Sequence, residues 1–138
     1  MAEDAKPAPV RVVAAIIRHG GRILICQRRR DDAFPLKWEF PGGKIAFGES
    51  PEDALRRELR EELGVAARIG TECHRNRHFY AQQNRSVELL FFPATLETPD
   101  VENLAFEQMA WAEPAELMQY DFLEADREVV NELAAGRL

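Results

Sequence analysis

Three glutamates in one short segment are the residues of this sequence best suited to bind a cation. Glu58, Glu61 and Glu62 stand at positions i, i+3 and i+4, so on a helix their carboxylates would share one face. Like charges held this close repel one another. Mg²⁺ would offset that repulsion, because it is a hard ion that prefers oxygen ligands and commonly bridges to substrate phosphates. The alternative is a solvated helix face, on which such acid–base runs are common.

A glycine pair and a further glutamate precede these acids and favour the cation-binding interpretation. Gly42-Gly43 allows backbone to approach a ligand closely, which would bring the carbonyl oxygen of Gly43 near the acidic face. Glu49 stands at the entrance to the acidic segment. By itself the glycine pair is typical of a tight turn, and it gains significance only from the acids that follow it.

The acidic segment carries the start and stop signals of a helix. Ser50 is a good N-cap, Pro51 suits the first helical position, and Asp53 occupies the capping-box position. Gly64 suits the left-handed position just beyond the helix. An apolar stripe recurs at every fourth position, at Leu55, Leu59 and Leu63. The predicted helix therefore buries its leucines and presents its glutamates on the opposite face.

The rest of the sequence predicts a mixed sheet around this helix. The predicted strands cover 10–17, 23–27, 38–40, 87–96, part of 65–80 and a short run near 109–111. The predicted connections include a hairpin turn at 19–22 and a stop after the third strand at 41–43. A short helix is expected from Pro114 and a terminal helix over 123–133. Because the elements do not alternate as βαβ units, they favour an α+β domain with the sheet between helices, in α/β/α layers.

Length and composition suit one globular domain. The chain has 138 residues, of which 46% are apolar and 30% charged, with a formal net charge of −6. We expect residues 1–9 to be a flexible lead-in and residues 10–138 to be the domain, as a monomer or homodimer. The acidity argues against a nucleic-acid polymer as partner. Two cysteines without disulfide or zinc spacing favour the cytoplasm, and no apolar run is long enough for a membrane.

The acidic segment resembles a known sequence motif, the Nudix box. All nine defined positions of the box are present over 23 residues, as Gly43-x5-Glu49-x7-Arg57-Glu58-Leu59-x-Glu61-Glu62-x-Gly64-Val65. The similarity to the MutT branch of that family extends from about Val12 to Leu133. Further counterparts are found at Arg28, the run 37–44, Arg85 and the run 121–126. We therefore expect the Nudix fold.

The resemblance implies a Mg²⁺-dependent hydrolase, with Mn²⁺ as a possible substitute. The implied metal ligands are the carbonyl of Gly43 and the carboxylates of Glu58, Glu61 and Glu62. Glu58 would also be the base that activates water, while Glu49 and Arg57 would hold the site in shape. The implied reaction converts a nucleoside triphosphate to a monophosphate and pyrophosphate, with the cation neutralising phosphate oxygens and acidifying water.

An additional metal ligand of the MutT branch lacks its direct counterpart here. Relatives often place a glutamate six residues before a tryptophan, but this chain has Ala105 six residues before Trp111. Glu107, four residues before Trp111, would lie on the same strand face and is the substitute candidate. Glu102 is the weaker candidate, and the alternative for Glu107 is a solvated surface acid.

The resemblance also suggests residues that bind the nucleotide. Arg28 and Lys44 would hold phosphates, Phe40 would form an apolar wall for the base, and Arg85 would stack its guanidinium on the base. Each has an ordinary alternative. Arg28, Lys44 and Arg85 could be surface cations, and a strand phenylalanine such as Phe40 is more often part of the core.

Asp126 takes the position at which the MutT branch carries the asparagine that reads oxidised guanine. An ionised aspartate only accepts hydrogen bonds and would favour an exocyclic amine or ring N–H, as in cytosine or guanine. A buried and protonated Asp126 could also donate, which would change that choice. The alternative is a helix N-cap.

We therefore expect a housecleaning enzyme with 8-oxo-dGTP as the leading substrate. The first alternative is a (d)CTP-type pyrophosphohydrolase. A hydrolase of ADP-ribose or dinucleoside polyphosphates is less favoured because the chain spends few residues on extra loops. A non-catalytic binding module is less favoured still, because all the glutamates of the box are present.

Overall fold

A mixed sheet of eight strands forms the centre of the described chain. The structure is a computed structural model that describes residues 8–138, so most of the predicted lead-in, residues 1–7, lies outside the described residues. The strands are β1 (Val10–His19), β2 (Arg22–Gln27), β3 (Trp38–Glu39), β4 (Gly42–Lys44), β5 (Arg68–Ile69), β6 (His74–Tyr80), β7 (Arg85–Thr95) and β8 (Gln108–Ala112). The helices are α1 (Pro51–Leu63) and α2 (Arg127–Ala134), and 3-10 turns cover Ala81–Gln83, Pro114–Gln119 and Glu124–Asp126.

The strand β1 organises the sheet. It runs parallel to β7, with Val10 opposite Val87 and Ile17 opposite Ala94. It also pairs antiparallel with β2 and with β4. The remaining pairings, β2 with β3 and β8 and β7 with β5 and β6, are antiparallel as well. The expectation of a mixed sheet is therefore confirmed.

The two faces of the sheet are covered by different helices. Val13, Ala15 and Ile17 of β1 belong to the apolar cluster that contains the buried leucines of α1. Ala14 and Ile16 point the other way, into the cluster that contains α2. This alternation follows from the two-residue period of a strand. The layers are thus helix, sheet and helix, as the sequence predicts.

The helix α1 begins and ends where its capping residues predict. Ser50 Oγ accepts a hydrogen bond from Asp53 N–H at 3.1 Å, and Gly64 is left-handed with φ of 66°. The capping box is only half formed, because the Asp53 carboxylate accepts from Arg56 at 2.8 Å instead. The leucine stripe Leu55, Leu59 and Leu63 is fully buried, at 0% exposure.

Three details of local structure refine the sequence predictions. The third strand ends at Glu39, before the predicted stop at 41–43, and that stretch also contains the start of β4, in which Gly42 opposes Ala14 of β1. Only glycine fits there, since a Cβ on Gly42 would lie 1.9 Å from the carbonyl oxygen of Val13. The short helix expected from Pro114 is present as a 3-10 helix over Pro114–Gln119, and the terminal helix begins at Arg127 instead of residue 123 because another 3-10 turn precedes it.

Within residues 8–138, neither helix is long and apolar enough to cross a bilayer. The extent of the domain, residues 10–138, remains a prediction.

The leucine stripe should account for much of the stability of the acidic helix. We predict that Leu59→Ala lowers the free energy of unfolding by about 2–5 kcal/mol, because it removes buried methyl groups and leaves a cavity. Leu104, which is 50% exposed, provides the control, and Leu104→Ala should change stability by less than about 1 kcal/mol. Urea unfolding measures both, and equal losses would contradict the packing described for α1.

Candidate active site

The acidic face of α1 packs directly against the glycine strand β4. Gly42 N–H donates to Glu62 Oε1 at 2.9 Å. A Cβ on Gly43 would lie only 2.5 Å from the carboxyl carbon of Glu58. The absence of a side chain at Gly43 therefore lets the Glu58 carboxylate reach the backbone, close to the carbonyl that the sequence analysis predicts as a metal ligand.

Arg57 connects the loop before α1 with the acids on the helix. Its guanidinium donates from Nε and Nη2 to both oxygens of Glu49, at 2.8 and 2.9 Å. Nη1 donates to Glu58 Oε1 at 2.9 Å and reaches Glu61 Oε2 at 3.4 Å. Nη2 also donates to the Lys44 carbonyl at 3.1 Å. This pattern fits the supporting role predicted for Glu49 and Arg57, which stays a prediction.

The Arg57 network lowers the pKa of Glu49. Hydrogen bonds from Arg57 and from Ala46 N–H bring the pKa of Glu49 to about 2. The same bonds, together with the one to Glu58, raise the pKa of Arg57. Both groups are therefore charged throughout the physiological range, and the support of the acidic site does not depend on pH there.

The pKa values of Glu62 and Glu58 are raised instead. Burial, followed by the negative charges of Glu39 and Glu58, raises the pKa of Glu62 to about 9. Burial also raises the pKa of Glu58, although hydrogen bonding by Arg57 opposes the shift. Without a cation, this part of the site favours the protonated form of Glu62. A bound divalent ion would reverse that preference.

The residues present fit a divalent ion in their donor chemistry, although the chain does not hold a complete cage. Within residues 8–138, no group of three His, Cys, Asp or Glu side chains is already arranged to hold a metal, and Arg57 occupies oxygens of Glu58 and Glu61. The hydrogen bond to Glu62 comes only from a neutral backbone amide, Gly42 N–H. Mg²⁺ needs only one or two carboxylates together with substrate phosphates and water, so an incomplete cage suits it.

A cleft of about 640 Å³ opens beside the acidic face. Seven of the predicted site residues line it: Arg28, Phe40, Gly43, Lys44, Glu62, Arg85 and Asp126. Ala105, the position at which relatives carry an extra acid, also lines the cleft. Glu107 is not among the lining residues described; its Oε1 lies 3.8 Å from Arg30 Nε. Glu102 binds the end of α1 through its N–H to the Leu63 carbonyl at 2.9 Å.

The residues predicted to bind nucleotide differ in their surroundings. Arg28 donates to Glu39 Oε1 at 3.1 Å and to the Ala33 carbonyl at 2.7 Å, so it is not a free surface cation. Lys44 and Arg85 are exposed and line the cleft. Phe40 is only 3% exposed and packs in the core, yet it also lines the cleft. Phe40 can therefore be both part of the core and part of the apolar wall of the cleft.

Asp126 is the one polar or charged side chain among the buried residues of the described chain, at 3% exposure. It stands at the N-cap position of α2, but its side chain makes no capping hydrogen bond. Burial raises the pKa of Asp126 well above its ordinary value, the charge of Glu39 adds to this shift, and Arg28 opposes it. A buried carboxyl with a raised pKa and no capping role thus lines the cleft.

Several other residues that line this cleft have no role predicted from the sequence. Glu39 is partly buried beside Arg28, and its charge acts on both Glu62 and Asp126. Phe34 and Tyr80 form an aromatic wall with their ring centroids 4.7 Å apart. Phe34 has a φ of 53°, unusual for a bulky residue, and this loop geometry cannot be read from residue types. Glu39 lies within the run 37–44 that carries the resemblance, and that run is the sequence signal that could have pointed to it.

Comparison with known proteins identifies the family. The NUDIX domain model matches residues 7–133. The chain belongs to the Nudix family. CTP pyrophosphohydrolase of Escherichia coli K12 is 36% identical over 133 residues, covering 93% of each chain. 8-oxo-dGTP diphosphatase of Haemophilus influenzae is 49% identical over 59 residues, which cover 42% of this chain and 43% of that protein.

A solved structure supports the fold separately. The MutT protein of Methanosarcina mazei Go1 has a TM-score of 0.85 at 20% identity, covering 96% of this chain and 98% of that one. The Nudix fold and the Nudix hydrolase class predicted from the box are thereby confirmed. Nudix hydrolases act on small nucleotides and use divalent metal ions. The roles of individual residues stay predictions.

The crowded acids of the Nudix helix should make the metal-free protein less stable as pH rises. Between its ordinary pKa of 4.5 and the folded value of about 9, the unfolded chain releases the Glu62 proton while the folded chain keeps it, so stability falls with rising pH. Glu62→Gln removes this loss. In EDTA, we expect the variant to gain about 1–3 kcal/mol over the wild type between pH 5 and pH 8.

Chemical unfolding at both pH values measures this gain, with the exposed Glu102→Gln as matched control. Added Mg²⁺ should raise the melting temperature of the wild type more than that of Glu62→Gln. A pH-independent difference between the wild type and Glu62→Gln would contradict the burial of a repelled carboxyl.

Proposed function

We propose that this Nudix hydrolase is a Mg²⁺-dependent nucleoside triphosphate pyrophosphohydrolase that acts on 8-oxo-dGTP in nucleotide-pool sanitation. The observation that carries the proposal is a single cleft lined both by Glu62 of the acidic helix and by the buried carboxyl of Asp126. One group belongs to the box that handles phosphates, and the other is suited to read a base. The relatives support a nucleotide substrate.

In the proposed reaction, a water oxygen forms a bond to the β-phosphorus and the bond to the α,β-bridging oxygen breaks. The products are a nucleoside monophosphate and pyrophosphate. Mg²⁺, held by Glu58, Glu61, Glu62 and the Gly43 carbonyl, would supply charge neutralisation of the phosphates and acidification of water. Mn²⁺ could replace it, since it accepts the same oxygen ligands.

Glu58 is proposed as the base that takes the proton from water. Its Oε1 accepts from Arg57, and within the described residues Oε2 accepts no hydrogen bond. Burial raises the pKa of Glu58, which makes its carboxylate a better proton acceptor near neutral pH. Arg57 would orient this carboxylate, and Glu49 would hold Arg57. Arg28, Lys44 and Arg85 would add positive charge along the cleft for the phosphates and base, with Phe40 as part of the base wall.

In its neutral form, which burial favours by raising the pKa, the Asp126 carboxyl supports an oxidised guanine as the base. A neutral carboxyl donates one hydrogen bond and accepts another, like the asparagine of the MutT branch. Guanine presents N7 and O6 as two acceptors, whereas oxidation at C8 converts N7 to an N–H donor. A donor–acceptor pair therefore complements 8-oxoguanine better than guanine on that edge.

The alternative substrate is CTP or dCTP. Cytosine offers its amine as a donor beside the N3 acceptor, which a neutral carboxyl also complements. The relative at 36% identity is named CTP pyrophosphohydrolase, which specifically supports this alternative. Whether Glu107 adds a metal ligand stays a prediction, and its position beside Arg30 gives it no support.

The remaining proposals concern the cellular compartment, the class of partner and the oligomeric state. Cys26 and Cys73 are free thiols, which suits the reducing cytoplasm. The net charge of −6 favours a small polyphosphate bridged by cations over a nucleic-acid polymer. We propose a monomer or homodimer.

The metal assignment predicts that Glu61→Gln and Glu62→Gln lose activity while the fold is kept. Removing a metal ligand should lower kcat by on the order of 100-fold or more, because a cation contributes several kcal/mol to stabilising phosphoryl transfer. Pyrophosphate release with 8-oxo-dGTP, dGTP and CTP in Mg²⁺ measures activity, and circular dichroism checks the fold. Glu52→Gln, in the exposed first turn of α1, is the control. Wild-type activity in both variants would overturn the assignment.

The base assignment predicts a pH-dependent preference for 8-oxo-dGTP over dGTP. The raised pKa of Asp126 keeps its carboxyl neutral at low pH, and ionisation as pH rises removes the donor. Glu39 and Arg28 act on this carboxyl with opposite charge effects, and Tyr80 faces it from β6. The ratio of the two kcat/KM values should therefore fall with rising pH in the wild type.

Asp126→Asn should keep the preference at every pH, because an amide always donates and accepts. Asp126→Ala should reduce the preference by at least about tenfold. A preference of the wild type for CTP over 8-oxo-dGTP would overturn the leading substrate. A ratio that neither variant changes would show that Asp126 is structural.

A further inference from the structure

Side chains from a distant strand hold the backbone residue that precedes Asp126. The Ala125 carbonyl accepts a hydrogen bond from Asn76 Nδ2 at 3.0 Å, and Ala125 N–H donates to the Tyr80 hydroxyl at 3.2 Å. Asn76 and Tyr80 lie four residues apart on β6, so their side chains project from the same face. Both polar backbone groups of Ala125 are thus bonded to one strand.

These bonds determine where the backbone of Asp126 lies. A peptide unit is planar, so fixing the Ala125 carbonyl also fixes the plane that contains Asp126 N–H. That amide donates to the Leu123 carbonyl at 3.0 Å, so the plane is held at both ends. Only rotations about the bonds of Asp126 itself then direct its carboxyl. A shift of the Ala125 backbone would therefore displace that carboxyl in the cleft.

Asn76 makes this contact at a cost to the folded state. Its Oδ1 is buried without a hydrogen-bond partner among residues 8–138. A buried polar atom left unpaired disfavours folding. An apolar residue of similar size would avoid that cost, but it could not donate to the Ala125 carbonyl. The contact with Ala125 is thus what an asparagine provides here.

Tyr80 combines the same contact with a place in the cleft wall. Its ring lines the cleft and packs against Phe34 with centroids 4.7 Å apart. Its hydroxyl, at the other end of the side chain, meets Ala125 N–H. Removing the hydroxyl alone would therefore remove the contact with Ala125 and keep the ring in the cleft wall.

We infer that Asn76 and Tyr80 are positioning residues that set base selectivity by aiming the Asp126 carboxyl into the cleft. The inference rests on the proposed function, because it takes Asp126 as the group that reads the base. Neither residue lies in the Nudix box, and within the described residues neither side chain hydrogen-bonds to the box glutamates. Their loss should therefore reduce selectivity through the Asp126 carboxyl.

Three variants test this inference. Asn76→Leu removes the donor and the unpaired oxygen together, and Tyr80→Phe removes only the hydroxyl. Tyr120→Phe is the matched control, because the Tyr120 ring packs on Trp38 with centroids 4.9 Å apart and, within the described residues, its hydroxyl makes no hydrogen bond to Ala125. Two readouts are needed: kcat/KM for 8-oxo-dGTP, dGTP and CTP with Mg²⁺, and dissociation constants for 8-oxo-dGMP, dGMP and CMP in EDTA.

We expect Asn76→Leu and Tyr80→Phe each to reduce the discrimination between the best and poorest base by about three- to tenfold in both readouts. In an Asp126→Ala background the two substitutions should have no further effect on discrimination, because they act through that carboxyl. Tyr120→Phe should discriminate as the wild type does.

The outcomes separate the two proposals. If the wild type discriminates among the bases and both β6 variants keep that discrimination, the positioning role is overturned while the proposed function stands. If the wild type hydrolyses the triphosphates and its monophosphate affinities do not depend on the base, both the base assignment and the positioning role fail. A loss of discrimination that persists in the Asp126→Ala background would also overturn the inference.

Discussion

The contact between the acidic face of α1 and the glycine strand β4 is the constraint on which the site depends. The buried leucine stripe presses the helix onto the sheet, and the sheet presents Gly42 and Gly43 instead of side chains. Glu62 then accepts from Gly42 N–H, and Glu58 lies where a Cβ of Gly43 would otherwise be. Hydrophobic packing therefore supplies the force that brings mutually repelling carboxylates together.

Such crowding has to be balanced by charge, and the chain balances only part of it. Arg57 is bonded to Glu49, Glu58 and Glu61, whereas Glu62 receives a hydrogen bond from a neutral amide. The pKa of Glu49 falls under the influence of Arg57, and the pKa of Glu62 rises with burial. The site is thus supported by a single arginine and left short of positive charge at its buried end, which suits a divalent ion arriving with a polyphosphate.

The local signals of the sequence predict the helix better than the sheet. Ser50, Pro51 and Gly64 define α1 to the residue, because capping depends on neighbours in the chain. The strand character of the glycine pair is not predicted, because it comes from pairing with β1, which lies about thirty residues earlier. Glu39, Asn76 and Tyr80 are not predicted from the sequence for the same reason. Their importance arises from partners that only the fold brings near, and residue types alone do not reveal them.

The two acidic regions of the cleft illustrate how one fold gives carboxyl groups different chemistry. At the Nudix helix, carboxylates gather where a cation can neutralise them. At Asp126 burial is the largest cause of a raised pKa, while the charges of Glu39 and Arg28 act on it in opposite directions. In its neutral form this carboxyl would not repel the phosphates of an incoming nucleotide, and it could both donate to a base and accept from it. Under the proposed function, a dry position for Asp126 near the sheet would serve selectivity and avoid adding negative charge to a cleft that admits a polyanion.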